Sequence, residues 1–524
     1  MIRWVGTPLA AVICVACAGN PAPAVRPGSR TPANDSITIH ALNRITFGVR
    51  PADLDRVHAI GLAAFIDEQL HPERLRDDDV DARLREFREV TISPRAFATD
   101  YYDPMSVARQ EFTAAQRLTP AAARLPYLRW HLLPVAAMSL PGGAKAVSVI
   151  SQPPVTPEES RFQRENQQVF DELQAQKLVR AVYSARQLQE VLTDFWFNHF
   201  NVDARKIEDR PVVAAYERDV IRPRVLGRFR DLLEATALSP AMLFYLDNWL
   251  SAAPRPKGGP GLNENYGREL LELHTLGVDG GYTQRDVVEV ARCFTGWSMA
   301  NPHDGLGFVF KPAAHDKGEK NVLGHRITAS RGIEDGEEVL DILARHPSTA
   351  RFIATKLVRR FVADEPPRPL VDRAARTFRR TDGDLREVMQ TILQSREFYA
   401  ATARRAKIKS PLEYVASALR ATDADIRNPR AFVGTISALG EPLYQSQPPT
   451  GYPDRASVWI NTGTLVDRLN FAQGLAANGL NASTIDRSRA EAALKRLLPD
   501  AAADDSSPVT RVALLIGSPA FQRR

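Results

Sequence analysis

Between Gln187 and Phe200 the apolar residues Leu188, Val191, Leu192, Phe195, Trp196 and Phe200 recur three and four positions apart, the spacing of a single helix face. Long helices are predicted from Glu159 to Phe200, and two charged amphipathic helices joined by a glycine-rich turn over 261–297. Helical patterning continues through 335–425, with turns at His346-Pro347, Pro366-Pro367 and Asp382-Gly383. Upstream, the folded part begins at Ile37. Pro51 suits a first helical turn and Gly61 a helix end, and Leu62–Leu70 restarts a short helix. Residues 74–125 are charged and helical with irregular joins. A single β-hairpin is predicted, with strands at Gly307–Phe310 and Asn321–Gly324 flanking His315-Asp316-Lys317-Gly318. Proline and glycine mark loops at 253–261 and 445–453, and a loop or insertion near 134–160. Val458-Trp459 then leads into a further helix carrying Arg468, Asn470 and Phe471. No repeat of 20–50 residues is visible. The expected fold is mainly α: one large multi-helix domain over 37–524 with a small β-hairpin.

The N-terminus adds a location. Arg3 supplies a positive charge, Trp4 to Ala16 is largely apolar, and Cys17-Ala18-Gly19-Asn20 follows. This pattern predicts a signal peptide over 1–16, too short for a membrane span. Cys17 directly after Ala16 resembles a bacterial lipoprotein cleavage site, although Cys14 stands where such sites usually carry leucine. Residues 17–36 then form a proline-rich tether. Acylated at Cys17, the protein would sit on a membrane surface. Ala18 is not the aspartate of an inner-membrane retention signal, so the outer membrane is expected, with the chain facing the periplasm or the cell surface. Ordinary cleavage near the same place would instead release a soluble exported protein.

Composition narrows the classes. Of 524 residues, 44% are hydrophobic and 25% charged, enough for a packed core. The net charge of +6 is small for this length and no basic run stands out, so nucleic acid is not an expected partner. Cleavage after residue 16 removes Arg3 alone among the charges and leaves 67 basic against 62 acidic residues. It also leaves only Cys17 and Cys293 of the cysteines, so no disulfide framework is expected.

The densest chemistry lies at Glu264, Arg268, Glu269, Glu272 and His274, followed by Thr283, Asp286, Glu289 and Arg292. At ~100° per residue, Tyr266, Gly267, Leu270, Leu271, Leu273 and His274 share one face of a helix over 263–276, and the acids share the other. On a structural reading, Glu264, Arg268 and Glu272 form an i,i+4 ladder, Gly277 caps the helix end, and Thr283 with Asp286 caps the next helix. On a functional reading, the acidic face lines a cleft. Glu264, Arg268, Glu269, Glu272 and His315 are then the catalytic candidates, with Arg292 or Lys320 as counter-charges. His199, His274 and Asp286 are the candidate metal ligands, yet no His-x-x-x-His or Cys-x-x-Cys spacing supports a site. His199 among aromatic residues fits a core histidine as readily. Gly-x-Ser-x-Gly, P-loop and dinucleotide fingerprints are absent, and Cys293 among apolar neighbours is expected to be inert. Trp297, Trp459 and Tyr452 could stack on sugar rings or serve as core.

The block Gly261-Leu-Asn-Glu264-Asn-Tyr-Gly-Arg268-Glu269-Leu-Leu-Glu272-Leu-His274-Thr-Leu-Gly277, continuing through Arg292-Cys293-Phe-Thr-Gly296-Trp297, resembles the signature of the bacterial family catalogued as "domain of unknown function 1800". The opening Leu42-Asn-Arg44 to Gly61 resembles the family's N-terminal pattern. The resemblance runs from about residue 40 to the C-terminus and is weak over 74–160. It implies a bacterial envelope protein and brings no reaction or cofactor with it. Two functions stay open: a hydrolase acting on an envelope or extracellular polymer, and a non-catalytic helical scaffold lipoprotein for an exported protein partner.

Overall fold

The long helix expected to follow Glu159 becomes an axis of the fold. In the computed structural model, which describes residues 32–115, 155–207, 210–254, 261–499 and 506–524, a helix of 27 residues spans Pro157–Tyr183. Thr156 starts it by accepting the Glu159 amide at 3.1 Å, with Pro157 in the first turn. Its first half is half-exposed, whereas every residue from Glu172 to Tyr183 except Arg180 is buried. The helices Arg210–Ala215, Pro411–Ala421 and Pro429–Ala438 pack on it. Pro411–Ala421 is buried along its whole length, and its N-terminal end is satisfied by a capping box between Ser410 and Glu413.

Buried helices expose few polar groups to water, so their arginines bond inward. Arg420, inside this core, donates to the carbonyls of Gly48 and Val182 and to Asp53, each at 2.6 Å. It thereby ties the N-terminal helices to the central ones. Gly48 has φ +115°, and a Cβ there would sit 2.3 Å from Ser417 Cβ, so glycine is what allows the two backbones to meet. Trp196, Phe200 and Phe229 stack through the centre of the apolar core.

The fold is mainly α, and among the described residues the strands form three two-stranded antiparallel pairs. The pairing differs from the single expected hairpin. β1 (Trp297–Met299) pairs with β2 (Phe308–Phe310), and β3 (Lys320–Val322) pairs with β4 (His325–Ile327). β5 (Asp425–Ile426) and β6 (Ser483–Thr484) form the third pair. The segment between β2 and β3 does not turn back as a hairpin because it is drawn inward. Lys320 and His315 meet the wholly buried Asp335 at 2.5 and 3.2 Å. Leu323 and Gly324, at φ +51° and +85°, make the tight turn between β3 and β4.

The helix expected over 263–276 is also modified. It is α-helical over Asn265–Glu269 and then widens into a π-turn over Leu270–Thr275. The Thr275 hydroxyl donates to the Leu270 carbonyl at 2.6 Å, and the Leu276 amide to Leu271 at 2.9 Å. The wider turn rotates Leu273 toward the surface, where it is half-exposed rather than on the buried face.

The signal peptide, Cys17, the tether as far as residue 31, most of the 134–160 loop and residues 255–260 lie outside the described residues. No helix among the described residues is long and apolar enough to cross a membrane.

Candidate functional site

Segments distant in sequence line a cavity of about 250 Å³, three of them carrying most of its polar groups. The helix Gln187–His199 contributes Asp194 and Asn198, one turn apart, and His199. The helix Pro347–Phe361 contributes Lys356 and Arg360, again one turn apart. The connection 441–459 contributes Glu441, Tyr452, Asp454 and Trp459.

The connection closes on the first helix through a side-chain amide. Asn198 donates to the Tyr452 carbonyl at 2.8 Å and accepts the Tyr452 amide at 2.7 Å. Gly451 makes this possible: its φ is +69°, and a Cβ there would lie 2.3 Å from the Asn198 carbonyl oxygen. Asn201 fixes the same loop by donating to the Ser446 and Pro448 carbonyls, both at 3.0 Å. Tyr452 and Trp459 stand as neighbours, ring centres 5.9 Å apart.

Two carboxyl groups in this cavity have opposite surroundings. Glu441 is buried, and burial, reinforced by Asp194, pushes its carboxyl up to about 8. It accepts the Leu412 amide at 2.8 Å and at neutral pH it carries its proton. Asp194 is instead ion-paired, 2.9 Å from Lys177. Burial alone would depress the Lys177 ammonium, but Asp194 and Glu217 overcome it and hold it above its ordinary value. A protonated acid and a charge-paired carboxylate thus face one cavity, the environment split that acid–base pairs use.

Lys356 and His199 form the third element. Lys356 Nζ lies 2.8 Å from His199 Nδ1, and His199 Nε2 lies 3.1 Å from the His274 carbonyl oxygen. A carbonyl can only accept, so Nε2 bears the proton and Nδ1 accepts from Lys356. Burial first, then Lys356 and His274, hold His199 far below its ordinary value, so the ring is neutral. Burial, then Arg359, lowers Lys356 to about 8. The remaining wall is a salt network in which Arg360 bonds Glu413 and lies 4.0 Å from Asp194. Lys407 bonds Asp454 at 2.9 Å. Asp454 falls to about 2 because Lys407, Arg360 and Arg524 outweigh its burial. Among the described residues, the buried Arg360 Nη2 and Asp454 Oδ2 have no hydrogen-bond partner.

Of the residues singled out from sequence, His199, Tyr452 and Trp459 line this cavity, and none of the catalytic candidates does. Glu264 and Arg268 pair at 3.1 Å and both bond Gln284, on a surface where they are 37% and 40% exposed. Glu272 accepts from the Tyr282 hydroxyl at 3.3 Å. Glu269 is half-buried, and burial followed by Glu272 raises its carboxyl. His315 is buried, between the Thr295 carbonyl at 2.8 Å and Asp335. The acids of 264–272 and His315 share no hydrogen bond or ion pair. Asp286 caps its helix with Thr283 and accepts the Leu323 amide at 2.8 Å. His274 is buried beside Phe200, its ring 6.3 Å from that of His199, with Nε2 unpartnered and burial lowering it to about 3. Among the described residues no group of three histidine, cysteine or acidic side chains could hold a metal ion. Cys293 is buried, and burial raises its thiol.

Sequence reasoning missed Asp194, Lys356, Arg360, Glu441 and Asp454. The faint signals were Asp194 directly before the aromatic run Phe195-Trp196-Phe197, and Gly440-Glu441-Pro442 breaking a helical pattern ahead of aromatic residues.

Across residues 40–523 the chain matches the family model described as "Protein of unknown function (DUF1800)". No curated protein and no solved structure matches it.

Proposed function

The chain belongs to DUF1800, a family of proteins of unknown function, and we propose that it is a hydrolase working by acid–base chemistry in the cavity of Asp194, Lys356 and Glu441. The observation that carries this reading is Glu441, a carboxyl raised to about 8 that faces the same cavity as a charge-paired aspartate. Glu441 would give its proton to the leaving group, and the Asp194 carboxylate would activate water or stabilise developing positive charge. Lys356 and Arg360 would hold an electronegative group of the substrate. Tyr452 and Trp459 offer a stacking surface. At about 250 Å³ the cavity is near the lower bound for ligand sites, which favours a chain end or one unit of a polymer over an internal stretch.

The location read from the N-terminus completes this proposal: an exported enzyme, anchored through Cys17, acting on an envelope or extracellular polymer. The runner-up is a helical scaffold lipoprotein for an exported protein partner, which the exposed Glu264–Arg268 ladder would serve as well as any other polar surface.

The test is a screen of the purified chain for release of reducing ends and of amines from glycan and peptide polymers. Glu441→Gln and Asp194→Asn are compared with wild type. Loss of at least ~100-fold in rate is expected for Glu441→Gln, the usual contribution of a general acid. Release unaltered in both variants, or no release from any polymer, overturns the assignment.

A further inference from the structure

A second cavity, of about 610 Å³, lies behind the salt network of the first. Glu413, on the wall of the first cavity, is 3.0 Å from Arg524, on the wall of the second. Six of the residues lining it are lysine or arginine, and the single acidic side chain among them, Asp35, is already 2.7 Å from His58.

Two of these cations, Lys409 and Arg524, are buried, Arg404 and Arg496 are half-buried, and Arg405 and Arg523 are exposed. Lys409 is 3% exposed. Its ammonium lies 3.9 Å above the Phe521 ring and, among the described residues, has no hydrogen bond or ion pair. Among the described residues Arg404 Nε has no hydrogen-bond partner either. Behind them stand Arg44 and Arg468, both wholly buried. Arg44 donates to the Ala403 carbonyl and Arg468 to the Lys409 carbonyl, and among the described residues each keeps Nε and Nη1 without a hydrogen-bond partner. Glu413 cannot neutralise this group, because Arg360 shares it with Arg524. A buried ammonium without a counter-charge is strongly unfavourable, and an ion that fills the cavity would remove that penalty. Such an ion must be an anion with several oxygens, able to accept from an ammonium and guanidinium forks together.

His40 refines its chemistry. Its Nε2 donates to the Phe398 carbonyl at 2.7 Å, and Nδ1 is buried with no partner among the described residues. Burial, then Arg44, keeps the ring neutral, so Nδ1 is a lone-pair acceptor at the wall of a cationic cavity. The geometry points to a binding site for a hydrogen-phosphate or phosphomonoester group in the cavity of Lys409, Arg404, Arg524 and His40. Its oxygens take the cationic donors, and its P–OH donates to His40 Nδ1. Sulfate offers the same oxygens without the proton and is the weaker ligand. The site is independent of the hydrolytic reading above.

The experiment is calorimetric titration of the full chain with inorganic phosphate and with sulfate at low ionic strength. Sedimentation with vesicles containing phosphatidic acid, against phosphatidylcholine vesicles, runs beside it. One phosphate per chain is expected, at least ~10-fold weaker in K409M and in R404Q, with sulfate weaker than phosphate. Saturable binding of free phosphate that also competes with the vesicles identifies a soluble ligand. Vesicle binding that free phosphate neither reproduces nor displaces identifies a lipid headgroup. No saturable heat together with no vesicle binding overturns the proposal, as does phosphate binding that both variants leave unchanged. Should the variants fail to fold, the wild-type chain answers by proton linkage. Burial lowers Lys409 to about 7, and a bound anion must draw a proton onto it. Sulfate does not itself titrate near neutrality. Its binding heat at pH 7 must therefore differ between buffers of different ionisation enthalpy in the sense of proton uptake, and identical heats overturn the site.

Discussion

Replacing Glu441 with glutamine removes a titrating proton while keeping the side chain's shape and its acceptor for the Leu412 amide. In the folded chain the carboxyl is raised from an ordinary 4.5 to about 8, through burial and the neighbouring Asp194. A folded value above the unfolded one means that the folded state holds the proton more tightly. The wild-type contribution is therefore complete below about pH 4.5 and is lost as pH rises toward 8. A shift of ~3.5 units corresponds to ~5 kcal/mol at 1.36 kcal/mol per unit, and water entering the cavity reduces this to ~2–5 kcal/mol. Unfolding entropy for a chain of 524 residues is ~1 kcal/mol per kelvin. Glu441→Gln should therefore melt ~2–5 °C above wild type at pH 9 and at the same temperature as wild type near pH 4.5. The assay is differential scanning calorimetry of both proteins from pH 4.5 to 9. Parallel curves with no widening gap would refute the claim that Glu441 is held protonated, and with it the acid of the proposed reaction. A variant that is more stable yet inactive would be the signature of a functional group kept at the expense of stability.

Three further outcomes follow from the same contacts. Asp335→Asn strips the counter-charge from the buried Lys320 and alters the contact to His315, and should cost ~3–5 kcal/mol in denaturant unfolding, whereas Glu264→Gln on the exposed ladder should cost under ~0.5 kcal/mol. Gly451→Ala places a methyl 2.3 Å from the Asn198 carbonyl oxygen at a positive φ; opening of the 441–459 connection should appear as faster proteolytic nicking there, and unchanged nicking would deny the clamp. Lys356→Met removes the cation beside His199, so the imidazole should titrate higher than in wild type while staying below its ordinary value, because burial is the larger cause; histidine NMR titration reads this directly.

How much was legible varies with the distance over which each feature is decided. The capping pair Thr283 with Asp286 stands three residues apart in sequence and in the helix it starts. The Glu264–Arg268 ladder is likewise local. The π-turn at Leu270–Thr275 was not legible, since it depends on the tertiary seat of His274 against Phe200 and of Gly277 against Phe352. The hairpin was half legible. Its strands lie near the expected residues, but their partners changed because Asp335, from a later helix, holds the loop between them.

The cavity is the extreme case. Asp194, Lys356 and Glu441 come from segments separated by well over a hundred residues in two of the three pairings, and alone each reads as one more charged residue. Local sequence determined the helical class, the helix ends and the family, because caps and apolar periods act within a few residues. Tertiary structure alone decided which carboxyl keeps its proton and which lysines lack partners. Those properties arise from desolvation and from charges contributed by distant parts of the chain.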